Sequence, residues 1–187
     1  METLKYDDQL QKLFSNINDW LKFAEAKNLG LLTFVAAIAF GFTQVNLSDS
    51  SSIHVVGCYI FLPISLLSFI CSLISLFPIL SKIEKGDILK SWITKFSRFV
   101  DEEKPFENIH YYGYLRTLKE EQFESKFLEK IKGVEAFTQY EKELSTQILY
   151  NSRITWLKYQ LFKIGAFFFL LAIVFSVIAL PFAKYLI

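Results

Sequence analysis

Three stretches of the sequence contain no Asp, Glu, Lys or Arg, and each is about as long as a helix that crosses a membrane. These stretches are residues 28–48, 50–81 and 164–183. A helix rises about 1.5 Å per residue, so roughly 20 residues span the ~30 Å of hydrocarbon in a bilayer. The sequence therefore predicts transmembrane helices at 28–47, 54–80 and 164–184.

The length of the chain excludes the alternative that these stretches form the core of a large soluble protein. The chain has 187 residues, of which 52% are hydrophobic, so too little polar chain remains to cover three helices that are apolar on every side. The first stretch also differs from a cleaved signal peptide. It follows a segment that mixes Lys, Asp and Glu, and a second span comes directly after it.

The distribution of Lys and Arg predicts the orientation in the membrane. Residues 1–27 carry four Lys, the link at 46–52 carries no basic residue, and residues 82–163 carry 15 Lys and Arg. Segments rich in Lys and Arg stay on the cytoplasmic side. We therefore expect residues 1–27 and 82–163 in the cytoplasm and the C-terminal end outside, where Lys184 is one basic residue against the trend.

Both cytoplasmic segments have helical periodicity. Residues 1–27 are predicted to form an amphipathic helix whose apolar face consists of Leu10, Phe14, Ile17, Leu21 and Ala24. The fold class is therefore predicted to be an all-α membrane protein. It has three transmembrane helices and a helical cytoplasmic segment, 82–163, between the second and the third.

Two helices are predicted within the segment 82–163. Thr117 and Glu120 fit a capping box, which would start a helix with Phe123 and Phe127 on its apolar face. No Pro occurs between Val134 and Pro181, so a second helix is predicted to start near residue 133 and to continue into the third span.

Small and polar residues are aligned within the second span. The spacings of three, four and three place four hydroxyl groups on one helix face, those of Ser65, Ser68, Ser72 and Ser75. Small residues let membrane helices approach closely, which makes this a packing face. The same hydroxyl groups would line a polar path if several copies assembled. Both interpretations fit the sequence.

The residues needed for catalysis or for metal binding are not grouped in the sequence. His54 and His110 are far apart, Cys58 and Cys71 lie within one predicted span, and the serines there have no His or carboxylate neighbour. The 20 Lys and Arg are balanced by 19 Asp and Glu, which leaves no basic excess to hold nucleic acid. We expect no enzymatic activity, no metal, no cofactor and no nucleic-acid partner.

An aromatic cluster within the cytoplasmic segment is a candidate nucleotide site. Tyr111 and Tyr112 can stack on a nucleobase, and Arg116 can bind a phosphate group through its planar guanidinium. Ordinary packing of aromatic side chains near a membrane surface accounts for the same residues. The sequence alone leaves both interpretations open.

Three motifs, in order along the chain, are similar to the membrane effector family of bacterial Pycsar anti-phage systems. The first is 20–28, Trp-Leu-Lys-Phe-Ala-Glu-Ala-Lys-Asn, which leads into the first span. The second is 108–113, Asn-Ile-His-Tyr-Tyr-Gly, followed by the acidic residues of 120–122. The third is 147–154, Gln-Ile-Leu-Tyr-Asn-Ser-Arg-Ile, which precedes the last span.

The resemblance implies a function. In such systems a partner cyclase senses infection and makes a cyclic pyrimidine mononucleotide, cCMP or cUMP. The effector responds by impairing the inner membrane, so that the infection is abortive. The resemblance therefore implies a multi-pass protein of the bacterial inner membrane, with a cytoplasmic N-terminus, a cyclic nucleotide as activating ligand and the lipid bilayer as target. Because three helices of one chain cannot enclose a pore, it also implies a homo-oligomer.

Two other functions share this layout. A membrane effector of another defence system, triggered by a purine or oligonucleotide signal, would differ in its ligand. A structural subunit of a membrane complex would also use small-residue faces and amphipathic helices, but it would not harm a cell when triggered alone.

Overall fold

The computed structural model describes residues 6–44, 56–77, 91, 95 and 106–185, which form helices joined by turns and loops and include no strand. The elements in chain order are α1 (Asp7–Gln44), a π-helix (Gly57–Phe61), α2 (Leu62–Leu76), α3 (Tyr112–Leu115), α4 (Glu120–Ile131), α5 (Gln139–Ala179) and a 3₁₀ helix (Leu180–Tyr185). Three helical stretches are long and apolar enough to cross a membrane, at Asp7–Gly41, Gly57–Leu76 and Gln139–Phe182. The predicted all-α fold with three membrane-spanning helices is confirmed.

The chain divides into two compact units. The first, which we call the polar unit, comprises Met1–Ala24 and Asp101–Tyr159. The second, which we call the span unit, comprises Glu25–Val100 and Gln160–Ile187. Both α1 and α5 contribute residues to each unit. The predicted link at 46–52, and the ends of the first two predicted spans, lie outside the described residues.

The core of the polar unit forms where the apolar face of α1 meets α4 and α5. Leu10, Ile17 and Ala24 of the predicted face are fully buried, while Phe14 and Leu21 are partly buried. Their partners in the core include Phe123 and Phe127 of α4 and Ile148 and Leu149 of α5. The period of 3.6 residues identified this face correctly, because a helix on a core buries one stripe.

Two hydrogen bonds set the direction of α1 relative to α5 within the polar unit. The Tyr6 backbone N–H donates to Glu141 Oε1 at 2.7 Å, and Asn151 Nδ2 donates to Asn18 Oδ1 at 2.8 Å. The contact points advance along both helices together, from residue 6 to 18 on one and from 141 to 151 on the other. The two helices therefore run parallel in this unit.

A capping box starts α5. The Glu141 carboxylate accepts hydrogen bonds from the Thr138 N–H at 2.8 Å and the Thr138 hydroxyl at 3.0 Å, and Thr138 Oγ1 accepts from the Glu141 N–H at 3.4 Å. The side chain of Glu141 is 1% exposed. One buried carboxylate thus satisfies amides at the start of α5 and also binds the segment before α1.

The capping box predicted at Thr117 and Glu120 is wrong. The Thr117 hydroxyl donates to the Tyr114 carbonyl at 2.7 Å, and α4 starts at Glu120, where the Lys119 N–H donates to Gln122 Oε1 at 3.0 Å. The long helix also starts later than predicted, at Gln139 instead of near 133. The same four-residue signature occurs at 138–141, and there it does start a helix.

The span unit has a small apolar core between its helices. Val35 of α1, Phe61 of the π-helix, and Phe169 and Ala172 of α5 are buried there. The rings of Phe61 and Phe169 meet edge to face, with centroids 6.2 Å apart. Large apolar side chains elsewhere in the unit point outward, which suits a surface in contact with lipid.

The π-helix at Gly57–Phe61 has a local cause. Pro63 occupies the first turn of α2, and its ring lacks the N–H that a continuous α-helix would need at that position. A local widening of the helix before a proline accommodates this defect within a membrane span. Pro78, which follows the serine face in the sequence, lies outside the described residues.

Candidate functional site

The four aligned serines of α2 lie inside the span unit. Ser68, Ser72 and Ser75 are fully buried, and Ser65 is 2% exposed. The Ser65 hydroxyl donates to the Leu62 carbonyl at 3.1 Å. Within one chain these serines therefore form a packing face. A polar path in an assembly stays a prediction.

The serine face packs against a glycine of α5. A Cβ atom placed at Gly165 would lie 3.5 Å from Ser72 Oγ, 3.4 Å from the Ser68 carbonyl and 3.1 Å from Leu31 Cδ2. The hydroxyl groups of Ser68 and Ser72 have no hydrogen-bond partner among the described residues. Close contact between α2 and α5 thus depends on the small side chains at both surfaces.

The predicted nucleotide-binding residues do not form an open site. Tyr112 is buried, and its ring stacks on Tyr159 with centroids 5.1 Å apart and an interplanar angle of 9°. Trp20 covers it from another direction at 5.6 Å. The face of Tyr112 that would stack on a base is therefore already occupied by protein rings.

Tyr111 and Arg116 also have neighbours within the polar unit. The Arg116 guanidinium lies over the Trp156 ring, 4.0 Å from its centroid, and Tyr111 contacts Tyr112 at 4.8 Å. The structure brings the two tyrosines into contact. The two tyrosines and Arg116 do not line a common cavity among those found in the described residues. Nucleotide binding by Tyr111, Tyr112 and Arg116 stays a prediction.

The second sequence motif, 108–113, forms a turn whose terminal glycine lies beneath the Tyr111 ring. Asn108 Oδ1 accepts from the His110 N–H at 2.9 Å, and the Asn108 carbonyl accepts from the Tyr111 N–H at 3.0 Å. The Tyr111 ring then lies over Gly113, where an added Cβ would clash with Tyr111 Cε1 unless the tyrosine side chain moved. The motif is therefore explained by local packing, whatever else it does.

A groove of about 480 Å³ lies between α1 and α5 within the polar unit. We call it the α1–α5 groove, and its lining residues are Gln11, Phe14, Ser15, Asn18 and Lys22 from α1 with Tyr140, Glu143, Leu144 and Gln147 from α5. The spacings of three and four on each helix place each set on one face. The groove combines two aromatic rings, three side-chain amides, one cation and one carboxylate, which is a chemistry suited to a small polar ligand.

A second cleft of about 620 Å³ lies between α4 and the segment that precedes α3. Lys126 in this cleft forms an ion pair and a cation–π contact. Its Nζ is 3.7 Å from Glu107 Oε2 and 5.5 Å from the centroid of the Tyr114 ring. Hydrogen bonding to Tyr114, together with the charge of Glu107, raises the pKa of Lys126 above its ordinary value. Lys126 therefore stays protonated at physiological pH.

The described residues contain no group of three His, Cys, Asp or Glu side chains that could hold a metal ion. Cys58 and Cys71 are both free thiols, and Cys71 is buried.

Sequence reasoning did not single out the α1–α5 groove, although it used several residues that line it. Lys22 appeared only as part of the first motif, and the structure places it in an exposed ion pair with Asp19 at 3.6 Å. Gln147 appeared only as part of the third motif. The missing information was the parallel register of α1 and α5, which no local pattern encodes.

The comparison with protein families gives a match over nearly the whole chain. The model of the Pycsar effector protein domain, PycTM, matches residues 9–183. Comparisons with curated proteins and with solved structures find no match. The matched range covers α2, α4 and α5 completely and all but the first two residues of α1.

Proposed function

The chain belongs to the PycTM family of Pycsar effector proteins, and from this membership we propose that it is an anti-phage membrane effector activated by a cyclic pyrimidine mononucleotide. A partner cyclase would supply the ligand, cCMP or cUMP, on infection. The activated effector would impair the inner membrane and stop growth before the phage matures. The observation that carries the proposal is the family match over residues 9–183 in a chain with three span-capable helices.

The composition of the polar unit supports the proposed topology. This unit is built from the segment before the first span and from the segment between the second and third spans. Two segments that pack together must lie on the same side of the membrane, and three spans with a short link between the first two satisfy this condition. The excess of Lys and Arg in these segments favours the cytoplasmic side, where a cyclic nucleotide is made.

The proposed damage to the membrane requires more than one copy of the chain. Three helices cannot enclose a pore, and the serine face of α2 is buried within the span unit. We expect the activated form to assemble as a homo-oligomer. If the serine face lines a polar path in that assembly, Ser68→Leu combined with Ser72→Leu blocks permeation while membrane insertion persists. Unchanged permeation would show that damage occurs by another route.

Dye release from liposomes tests the proposal directly. Full-length protein is reconstituted, its insertion is verified by flotation, and release is followed after separate addition of cCMP, cUMP, cAMP and cGMP. We expect release with a pyrimidine nucleotide and none with the purine nucleotides. Release with a purine nucleotide would identify an effector with a different signal. No release with any of the four, from inserted protein, would favour a structural subunit.

A further inference from the structure

We propose that the α1–α5 groove is the site that binds the activating ligand, a small monoanion that carries a nucleobase. This inference rests on the proposed function, because it assigns a site to the ligand proposed there. Two hydrogen bonds join the helices that form the groove, Tyr6 to Glu141 and Asn18 to Asn151. These bonds hold its walls in a fixed register before a ligand arrives.

The size of the groove matches a mononucleotide. Its volume of about 480 Å³ is within the range of roughly 300–1,000 Å³ that is typical of small-molecule sites. The eleven residue steps from Gln11 to Lys22 extend over ~16 Å of helix. A cyclic mononucleotide fits this length with its base and phosphate at different positions along the groove.

The lining offers a stacking surface and unused hydrogen-bonding groups. The rings of Phe14 and Tyr140 contribute to the two walls, and Tyr140 is 46% exposed. A nucleobase has a flat π-face that stacks on such rings. Asn18 accepts a hydrogen bond from Asn151 through Oδ1, so the donors of its Nδ2 stay available for a base carbonyl. Gln147 also lines the groove, and its side chain is exposed.

The charges of the groove are separated along its axis. The register places Glu143 opposite the first turn of α1, whereas Lys22 lies beyond the Asn18–Asn151 hydrogen bond. A ligand with a phosphate at one end and N–H donors at the other complements this arrangement. The neighbour of Lys22, Asp19, forms only an exposed ion pair with it, at 3.6 Å, and such pairs contribute little. The Lys22 ammonium can therefore exchange this partner for a phosphate oxygen.

The walls of the groove explain why a ligand there would matter. Both α1 and α5 continue into span-capable stretches, Asp7–Gly41 and Gln139–Phe182. The second cleft has no residue from either of these helices. A ligand in the α1–α5 groove contacts the two helices that also contribute to the span unit. A ligand that binds one spacing of these helices more tightly than another therefore also shifts the conformational equilibrium of the spans.

Charge-removing and amide-removing variants of the groove test the proposal. Lys22→Gln and Gln147→Ala are both exposed substitutions that leave the core intact, and Lys12→Gln, an exposed position of α1 outside the groove, is the matched control. Binding of cCMP and cUMP to detergent-solubilised full-length protein is measured by calorimetry, and dye release is measured in parallel. We expect Lys22→Gln to weaken affinity by about tenfold or more and Lys12→Gln to leave it unchanged.

Each outcome separates this inference from the proposed function. If the wild type responds to a nucleotide and both groove variants bind it with wild-type affinity, the site lies elsewhere and the proposed function stands. If Arg116→Ala alone removes binding, the aromatic cluster is the site. If the wild type neither binds nor releases dye with any of the four nucleotides, the proposed function fails, and the assignment of the groove fails with it.

Discussion

The polar unit and the span unit use the same helical periodicity with opposite results. In the polar unit the aligned large side chains, such as Phe123 and Phe127, are buried, and charged residues such as Glu129 are exposed. Glu141 and Lys158 are buried charged residues of the same unit. In the span unit the aligned serines are buried, and large side chains such as Phe175 and Val177 face outward. A period of 3.6 residues identifies a face, but the surrounding solvent decides which face is turned inward.

The two units also differ in how their buried polar groups are satisfied. Glu141 in the polar unit accepts hydrogen bonds from the Tyr6 N–H, the Thr138 N–H and the Thr138 hydroxyl. Ser68 and Ser72 in the span unit have no partner among the described residues. Glu141 is therefore fixed by specific polar contacts, whereas Ser68 and Ser72 contribute through the close packing that their small side chains allow.

The largest effect on stability is expected when a phenylalanine is replaced by alanine in the core of the polar unit. The same replacement at an outward position of the span unit is the comparison. Phe123→Ala creates a cavity in the polar unit and should lower the free energy of unfolding by about 3–5 kcal/mol. Phe175→Ala removes an outward ring of α5 and should change it by no more than about 0.5 kcal/mol. Both are measured by SDS titration of full-length protein in mixed micelles. Equal losses for the two variants would contradict the assignment of Phe175 to a lipid-facing surface.

A variant of the buried Glu141 tests how much the hydrogen bonds of its carboxylate contribute to stability. Glu141→Gln replaces an acceptor oxygen by an NH₂ group that faces N–H donors, so we expect a loss of about 1–3 kcal/mol in the same titration. The exposed Glu129→Gln is the control and should have little effect. Because Glu141 also binds the Tyr6 N–H, hydrogen exchange at the start of α1 should become faster in the Glu141 variant alone. Unchanged protection there would show that the contact does not hold the helix start.

Much of the fold followed from the sequence, because charge-free length and apolar periodicity are local signals. The three spans, the buried face of α1 and the long final helix were all predicted. The helix starts were less accurate, since the signature of a capping box occurs at both Thr117 and Thr138 and only the second is used. Glu141 is held there by Tyr6, a contact between residues 135 positions apart that no local pattern contains.

The candidate site could be predicted only in part, for the same reason. Tyr112 was selected as an aromatic residue near an arginine, but its ring is stacked on Tyr159 in the core. The α1–α5 groove needs the register of two helices that are more than a hundred residues apart in sequence. Lys22 and Gln147 were visible as separate residues, and their common location came from the tertiary structure.

A glycine pair tests the close packing of the span unit. Gly165→Leu inserts a side chain where a Cβ already lies 3.1 Å from Leu31 Cδ2, and we expect overpacking to cost about 1–3 kcal/mol. Gly30→Leu is the matched control, because a Cβ at Gly30 has no neighbour within 4 Å. The two variants are compared in the same SDS titration. If Gly165→Leu left the free energy of unfolding unchanged and Gly30→Leu lowered it, the assignment of Gly165 to the packing surface would be wrong.

The smallest effect distinguishes the buried hydroxyls of the two units. The Ser152 hydroxyl, in the polar unit, donates to the Ile148 carbonyl at 2.8 Å, so Ser152→Ala should lower stability by about 1 kcal/mol. The Ser72 hydroxyl has no such partner, so Ser72→Ala removes a polar group whose burial is uncompensated and should be neutral or stabilising. Stability that falls in both variants would mean that Ser72 gains a hydrogen bond in the membrane, from water or a second copy. Repeating the titration at several protein-to-lipid ratios separates a hydrogen bond to water from one to a second copy. Only the contact between copies depends on dilution, because it requires an oligomer.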